Sequence, residues 1–214
     1  VALPLVVTML VVLFGSRMLD QVGPAAAARC SAVLLTAVAI AAVPTLWLIG
    51  LSGLAHAGLH NPITDWSQHL VPSNQPVGAV IGIAALGVAA VGSLRAGRVV
   101  WMHRRVRCAD TDPVEFIDTD DVYAYTLLGP AATIAISTGL CNALDSTEFA
   151  IVLAHERAHA RHRHDRFKLL GLVCAAFVPL LRPMVTRLDF YLERWADEES
   201  LVATGADRRV AART

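Results

Sequence analysis

The sequence predicts a mainly α membrane protein: about three transmembrane helices, then a small α+β cytoplasmic domain that carries a re-entrant or interfacial helical hairpin. Three observations carry this reading. Of the 214 residues, 55% are hydrophobic and only 17% charged, with a mean hydropathy of +0.53, whereas a soluble domain is about a quarter charged. The apolar residues gather into long stretches in the first half of the chain. The polar residues follow, in short β-prone and helical runs. Lys and Arg number 18 against 18 Asp and Glu, so the net charge is zero. A nucleic-acid binder shows a basic excess, so no direct nucleic-acid partner is expected. High hydropathy with low charge excludes a disordered chain. Cys30, Cys108, Cys141 and Cys174 stand far apart without a CxxC pair, which indicates neither a cysteine metal site nor a disulfide framework.

The first apolar stretch, Val1 to Phe14, is short against the roughly 20 residues of a membrane span, and with the residues up to 19 it forms the first predicted helix. The second, Cys30 to Ala55, is long enough to cross with tilt. The third, Pro76 to Leu94, is rich in Gly and Ala, which permits close approach to a neighbouring helix. The predicted spans are 1–19, 30–55 and 76–101. Basic residues orient them. Arg17 and Arg29 follow the first span, the 56–75 loop has no Lys or Arg, and Arg95, Arg98, Arg104, Arg105 and Arg107 follow the third. The positive-inside rule therefore puts the region after the third span in the cytoplasm. A multi-pass protein of a bacterial inner membrane is expected, with the lipid bilayer as a partner and room for a homo-oligomer.

Residues 102–214 form the second predicted domain. The acidic run Cys108 to Asp121 reads as a solvated loop. Val114 to Ile117, Val122 to Leu127 and Thr133 to Ser137 are β-prone, punctuated by Gly129-Pro130 and Gly139. Asp145 or Ser146 is the N-cap of a helix that runs on through Phe149, Ile151, Val152 and Leu153.

That helix carries His155-Glu156-Arg157-Ala158-His159, an HExxH sequence. Residues i and i+4 stack on one helix face, so both imidazoles can grip one zinc ion, and the Glu beside the first His can serve as general base. A catalytic zinc takes three protein ligands and keeps one position open. Glu193, on a polar helical stretch from about Asp189 to Val202, offers the third. Asp197, one turn on, can accept a hydrogen bond from a liganding ring. His162 lies seven residues after His155 and faces nearly the same way, but one turn too far along. His164 reads with Arg161, Arg163 and Arg166 as a basic surface near lipid headgroups. His56, His60 and His69 match no metal template.

Leu127 to Asp165 and Leu188 to Thr204 resemble the integral-membrane zinc metallopeptidases of the BlaR/MecR antirepressor family. The pattern is Ile136-Ser137-Thr138-Gly139-Leu140, then Glu148, then HERAH, then a short hydrophobic interval, then ExxxD. The resemblance spans roughly residues 95–205. HtpX-type membrane proteases share HExxH and ExxxD, with the two motifs usually farther apart. The resemblance implies a zincin-like domain of the gluzincin kind, with His155, His159 and Glu193 as zinc ligands and Glu156 as catalyst. It implies a role in signal transduction, with a BlaI-type transcriptional repressor, or the enzyme itself, as the protein substrate. It also implies that the strand Thr133, Ile134, Ala135, Ile136, Ser137 lies along the cleft and pairs with an extended substrate. The penicillin-binding sensor domain of the antibiotic receptors has no counterpart in these residues, so antibiotic sensing does not carry over. A sensorless zinc endopeptidase is expected, with an HtpX-type protease or a zinc-binding signalling scaffold as alternatives. Tyr191, Arg194 and Arg157 are the nearby donors for a developing oxyanion.

Topology constrains the ligand set. Leu169 to Leu181 is largely apolar, and a full span there would carry Glu193 across the bilayer from the two histidines. Thirteen residues are too few to cross, and Pro179, Arg182 and Pro183 interrupt the run. A hairpin over 169–187 that dips in and returns is therefore expected.

Overall fold

The computed structural model describes residues 16–59, 61–70, 79–105, 114–128 and 132–206. The first apolar stretch up to Gly15, the start of the acidic run and Gly129-Pro130 lie outside them. The described chain is mostly helical. After a single turn, α1 (Ser16–Leu19), come α2 (Pro24–His56), α3 (Pro62–Leu70) and α4 (Ala79–Arg105). Three short strands follow, β1 (Val114–Ile117), β2 (Ala124–Leu128) and β3 (Ala132–Ser137). The chain closes with α5 (Thr138–Ala143), α6 (Ser146–His162), α7 (His164–Phe177), a 3-10 turn (Pro179–Leu181) and α8 (Arg182–Thr204).

Helices α2 and α4 are long and apolar enough to cross a membrane. Pro24 opens α2, where a missing N–H costs nothing, and Pro44 interrupts its hydrogen-bond ladder once. Thr36 and Thr45 bond back to the carbonyls of Ala32 and Ala41, both at 2.7 Å. The two helices carry an exposed apolar surface that includes Val33, Ile40, Val80, Ile81, Ile83 and Val88.

Glycine lets α2 and α4 touch backbone to backbone. A Cβ on Gly53 would stand 2.3 Å from the Gly82 Cα, and one on Gly50 would stand 2.9 Å from the Leu86 Cβ. Gly53→Leu or Gly82→Leu is therefore expected to force the pair apart, an overpacking effect of about 1–3 kcal/mol or more. Thermal melting in detergent checks this, with Gly87→Leu as control, since a Cβ there meets nothing within 4 Å.

One hydrophobic core runs from α2 into the C-terminal helices. Ala27, Ala28, Leu35 and Val38 of α2 pack with Cys174, Leu181, Val185, Leu188, Leu192 and Trp195. A polar tie reinforces it at the start of the described chain. Asp20 accepts from the Tyr191 hydroxyl at 2.7 Å and from Arg187 at 3.3 Å. Burial, with the Asp20 carboxylate alongside, pushes the Tyr191 phenol up to about 12.

The sheet order is β1-β3-β2, with β1 parallel and β2 antiparallel to β3. All three strands overlap the β-prone runs read from the sequence. The expectation for Thr133 to Ser137 is corrected in one respect. β3 is the central strand, so both of its edges are already paired and a substrate has no free edge to join there. Thr133, Ile134, Ala135, Ile136 and Ser137 are all buried. Ser137 instead caps α5, accepting from the Leu140 N–H and bonding to Tyr123. Ile134, Ile136 and Leu140 pack against Phe149, Val152 and Leu153 of α6, which seats the HExxH helix on the sheet.

The predicted hairpin has its apex at Val178–Leu181. α7 ends at Val178, whose N–H still reaches the Cys174 carbonyl at 2.9 Å. The 3-10 turn reverses the chain and α8 returns along α6 and α7.

Candidate metal centre

The site starts from a well-capped helix. The Asp145 side chain accepts from Thr147 N and Glu148 N, and the Glu148 side chain accepts from Asp145 N, a complete capping box. The α6 register then fixes His155 and His159 one turn apart. Their Nε2 atoms stand 3.0 Å from each other. The returning α8 brings Glu193 Oε2 to 3.4 Å from His155 Nε2 and 3.2 Å from His159 Nε2. The three donors converge within 4.8 Å of one another. Donors about 2.0–2.1 Å from one tetrahedral ion stand about 3.3 Å apart, so these separations fit a single metal.

The groups behind the donors differ from ligand to ligand. Asp197 Oδ1 lies 3.0 Å from His155 Nδ1, one turn beyond Glu193 on α8. A carboxylate in that place keeps the proton on Nδ1 and leaves Nε2 free. Lys168 Nζ donates to the second oxygen of Glu193 at 3.0 Å. His159 Nδ1 faces the Nδ1 of His164 at 2.7 Å. Asp197→Ala is expected to weaken metal affinity about 10–100-fold, read by competition with a chelator. Unchanged affinity would make Asp197 an ordinary surface acid, as its 63% side-chain exposure alone would suggest.

The electrostatics agree with the donor set. Hydrogen bonds from His155 and His159, with Lys168 assisting, hold the Glu193 carboxyl far below the usual carboxylate range. Burial disfavours a charged His155, but Glu193, Asp197 and Glu156 outweigh it and raise its pKa. Burial, with His159 and His162 nearby, pushes His164 down to about 3, so that ring is neutral.

Glu156 is held from the sheet. The Thr126 hydroxyl on β2 donates to Glu156, with Oε2 at 2.6 Å and the carbonyl oxygen at 2.9 Å. Sequence reasoning missed Thr126 because the contact spans 30 residues and no local spacing encodes it. Lys168 was missed for the same reason. A cavity of about 450 Å³ opens beside the donors, lined by Val99, Met102, Leu169 and Leu172 with Thr126 and His159. A larger cleft of about 940 Å³, walled by Arg29, Arg157 and Arg161, includes none of the three donors.

The neighbouring residues fall as follows. His162 does not join the donors; its Nε2 lies 2.7 Å from Glu199 and its ring stacks on Trp195. His164 is not a surface histidine but is 1% exposed. The Tyr191 hydroxyl is committed to Asp20, and Arg194 pairs with Glu198 at 3.7 Å.

Residues 99–194 match the family model for Peptidase family M48, a span that includes HExxH and Glu193. No curated protein and no solved structure matches the chain. The family match and the His/His/Glu cluster together support a metallopeptidase of the zincin type.

Proposed function

We propose that this chain is a membrane-embedded, zinc-dependent endopeptidase that cuts a protein substrate at the cytoplasmic face of a bacterial inner membrane. The observation that carries the reading is the convergence of His155, His159 and Glu193 at 3.0–3.4 Å beside Glu156. Two imidazoles and one carboxylate, with no thiolate, suit zinc in a catalytic rather than a structural role. Zinc there would supply Lewis acidity and a more acidic attacking water. Glu156 takes the proton from that water as it attacks the scissile carbonyl, then returns it to the leaving amine. Thr126, donating to one carboxylate oxygen, fixes the rotamer and leaves the other oxygen for the proton.

The substrate strand moves from β3 to β2. Among the described residues β2 pairs only with β3, so its outer edge is open to an extended peptide. Thr126 ties that edge strand to the base, and the 450 Å³ cavity beside it receives a side chain near the cut bond. The exposed apolar surfaces of α2 and α4 support lipid contact, and the arginines at the C-terminal end of α4, Arg95, Arg98, Arg104 and Arg105, support a cytoplasmic site.

The short interval between HExxH and ExxxD favours a BlaI-type repressor, or the chain itself, as substrate. A second reading, an HtpX-type membrane quality-control protease, is favoured by the M48 match, which takes in HExxH and Glu193, the first residue of ExxxD. A zinc-binding scaffold is weakened by His162, which pairs with Glu199 instead of adding a closing ligand. The test uses the full chain purified in detergent. One zinc per chain is expected, with hydrolysis of an unfolded protein that a chelator stops and zinc restores. Absence of zinc, or hydrolysis indifferent to the chelator, would sink the proposal.

A further inference from the structure

We infer that His164 is a positioning residue for the metal: its ring accepts the Nδ1–H of His159 and holds that ligand in the tautomer that presents Nε2 to zinc. The inference rests on the zinc reading above and deepens it.

The contact exists because the helix breaks. His159 and His164 are five residues apart, a spacing that puts side chains on different faces of a continuous helix. Arg163 sits between α6 and α7 in the left-handed region, with φ 52° and ψ 49°. This conformation is uncommon for a residue with a Cβ. The break turns the start of α7 so that the His164 ring meets His159 edge-on, with centroids 4.8 Å apart. Trp195, Phe167 and His162 surround that ring at centroid distances of 5.0, 6.5 and 5.9 Å.

Only one proton fits between the two Nδ1 atoms, 2.7 Å apart. If His164 supplied it, His159 would carry its own proton on Nε2 and be closed to a metal. If His159 supplies it, the Nε2 lone pair is free, and that atom is the one at 3.0 Å from His155 Nε2 and 3.2 Å from Glu193. His164 then carries its proton on Nε2, a buried atom with no hydrogen-bond partner among the described residues. An unsatisfied buried donor is costly, and a leucine would fill similar space without that cost. Orienting His159 accounts for an imidazole there. The two ligands thus have different orienting groups, an exposed carboxylate behind His155 and a buried ring behind His159.

The test measures zinc affinity by chelator competition on the full chain in detergent, for wild type, His164→Asn, His164→Gln and His164→Leu. Asn places its amide oxygen near the Nδ1 position and keeps the acceptor; Gln extends past it and Leu has none. Zinc binding near wild type is expected for Asn, with a loss of about 10–100-fold for Gln and Leu. Melting without zinc separates this from a packing defect, since a merely structural role would lower the zinc-free melting temperature and leave affinity alone. Wild-type affinity in Leu and Gln, or an Asn variant as weak as Leu, would overturn the inference. Glu193→Ala run alongside distinguishes the two levels. If its zinc affinity is also unchanged, the ligand assignment itself fails; if it alone loses zinc, only the role of His164 does.

Discussion

Glu156→Gln is expected to abolish cleavage, with a loss of about 10²–10⁴-fold, while the chain still binds its metal. Gln keeps the size and the polar contact to Thr126 but has no basic oxygen to take a proton. The three donors are untouched, since Glu156 points to Thr126 while His155 and His159 meet Glu193. The readouts are therefore separable: metal content by atomic absorption stays at wild type and hydrolysis disappears. A Gln variant that cleaves at the wild-type rate refutes the role of Glu156. One that loses its metal shows that Glu156 supports the site rather than the reaction. Thr126→Val is the companion variant. It removes the hydroxyl and leaves the base, so it should slow cleavage by less than Glu156→Gln does.

Glu193→Ala is expected to remove the metal. It deletes one of three donors and leaves Lys168 without its carboxylate partner, 3.0 Å away, beside a site that must receive a cation. The loss should exceed the 10–100-fold expected for an orienting group such as Asp197. The pH dependence follows from the same residues. A liganding imidazole must be neutral, so protons compete with metal. The raised pKa of His155 moves that competition to higher pH than an ordinary histidine shows, and the depressed pKa of Glu193 keeps its carboxylate ionised throughout. Metal affinity should therefore be full at about pH 8 and fall as the pH drops through a value above the ordinary histidine value of about 6.5. A plateau of affinity down to about pH 5 would contradict the assignment of His155 as ligand.

Much of this site is legible locally because helices repeat. His155 and His159 at i and i+4, and Glu193 and Asp197 at i and i+4, are pairings that a 3.6-residue period places on one face without further information. The Asp145 capping box is local for the same reason, and the β-prone runs follow from residue type and their Gly/Pro punctuation. The helical reversal at Val178–Leu181 was signalled by Pro179 and Pro183, which interrupt the apolar run.

What the sequence by itself determined is therefore the parts: of three expected apolar helices the two that fall on described residues, an HExxH helix, an ExxxD helix and short strands between. Only the tertiary structure decided how they meet. It made β3 the central strand and left an edge on β2, because strand order depends on pairing across the chain and not on alternation within a run. It put the Thr126 hydroxyl on Glu156 across 30 residues and Lys168 on Glu193 across 25. It buried His164, which stands among arginines in the sequence, because one residue in the left-handed region turned a helix that periodicity would have continued. Contacts at helical spacing are written in the chain, while contacts made by a break, a sheet edge or a packed neighbour exist only once the chain has folded.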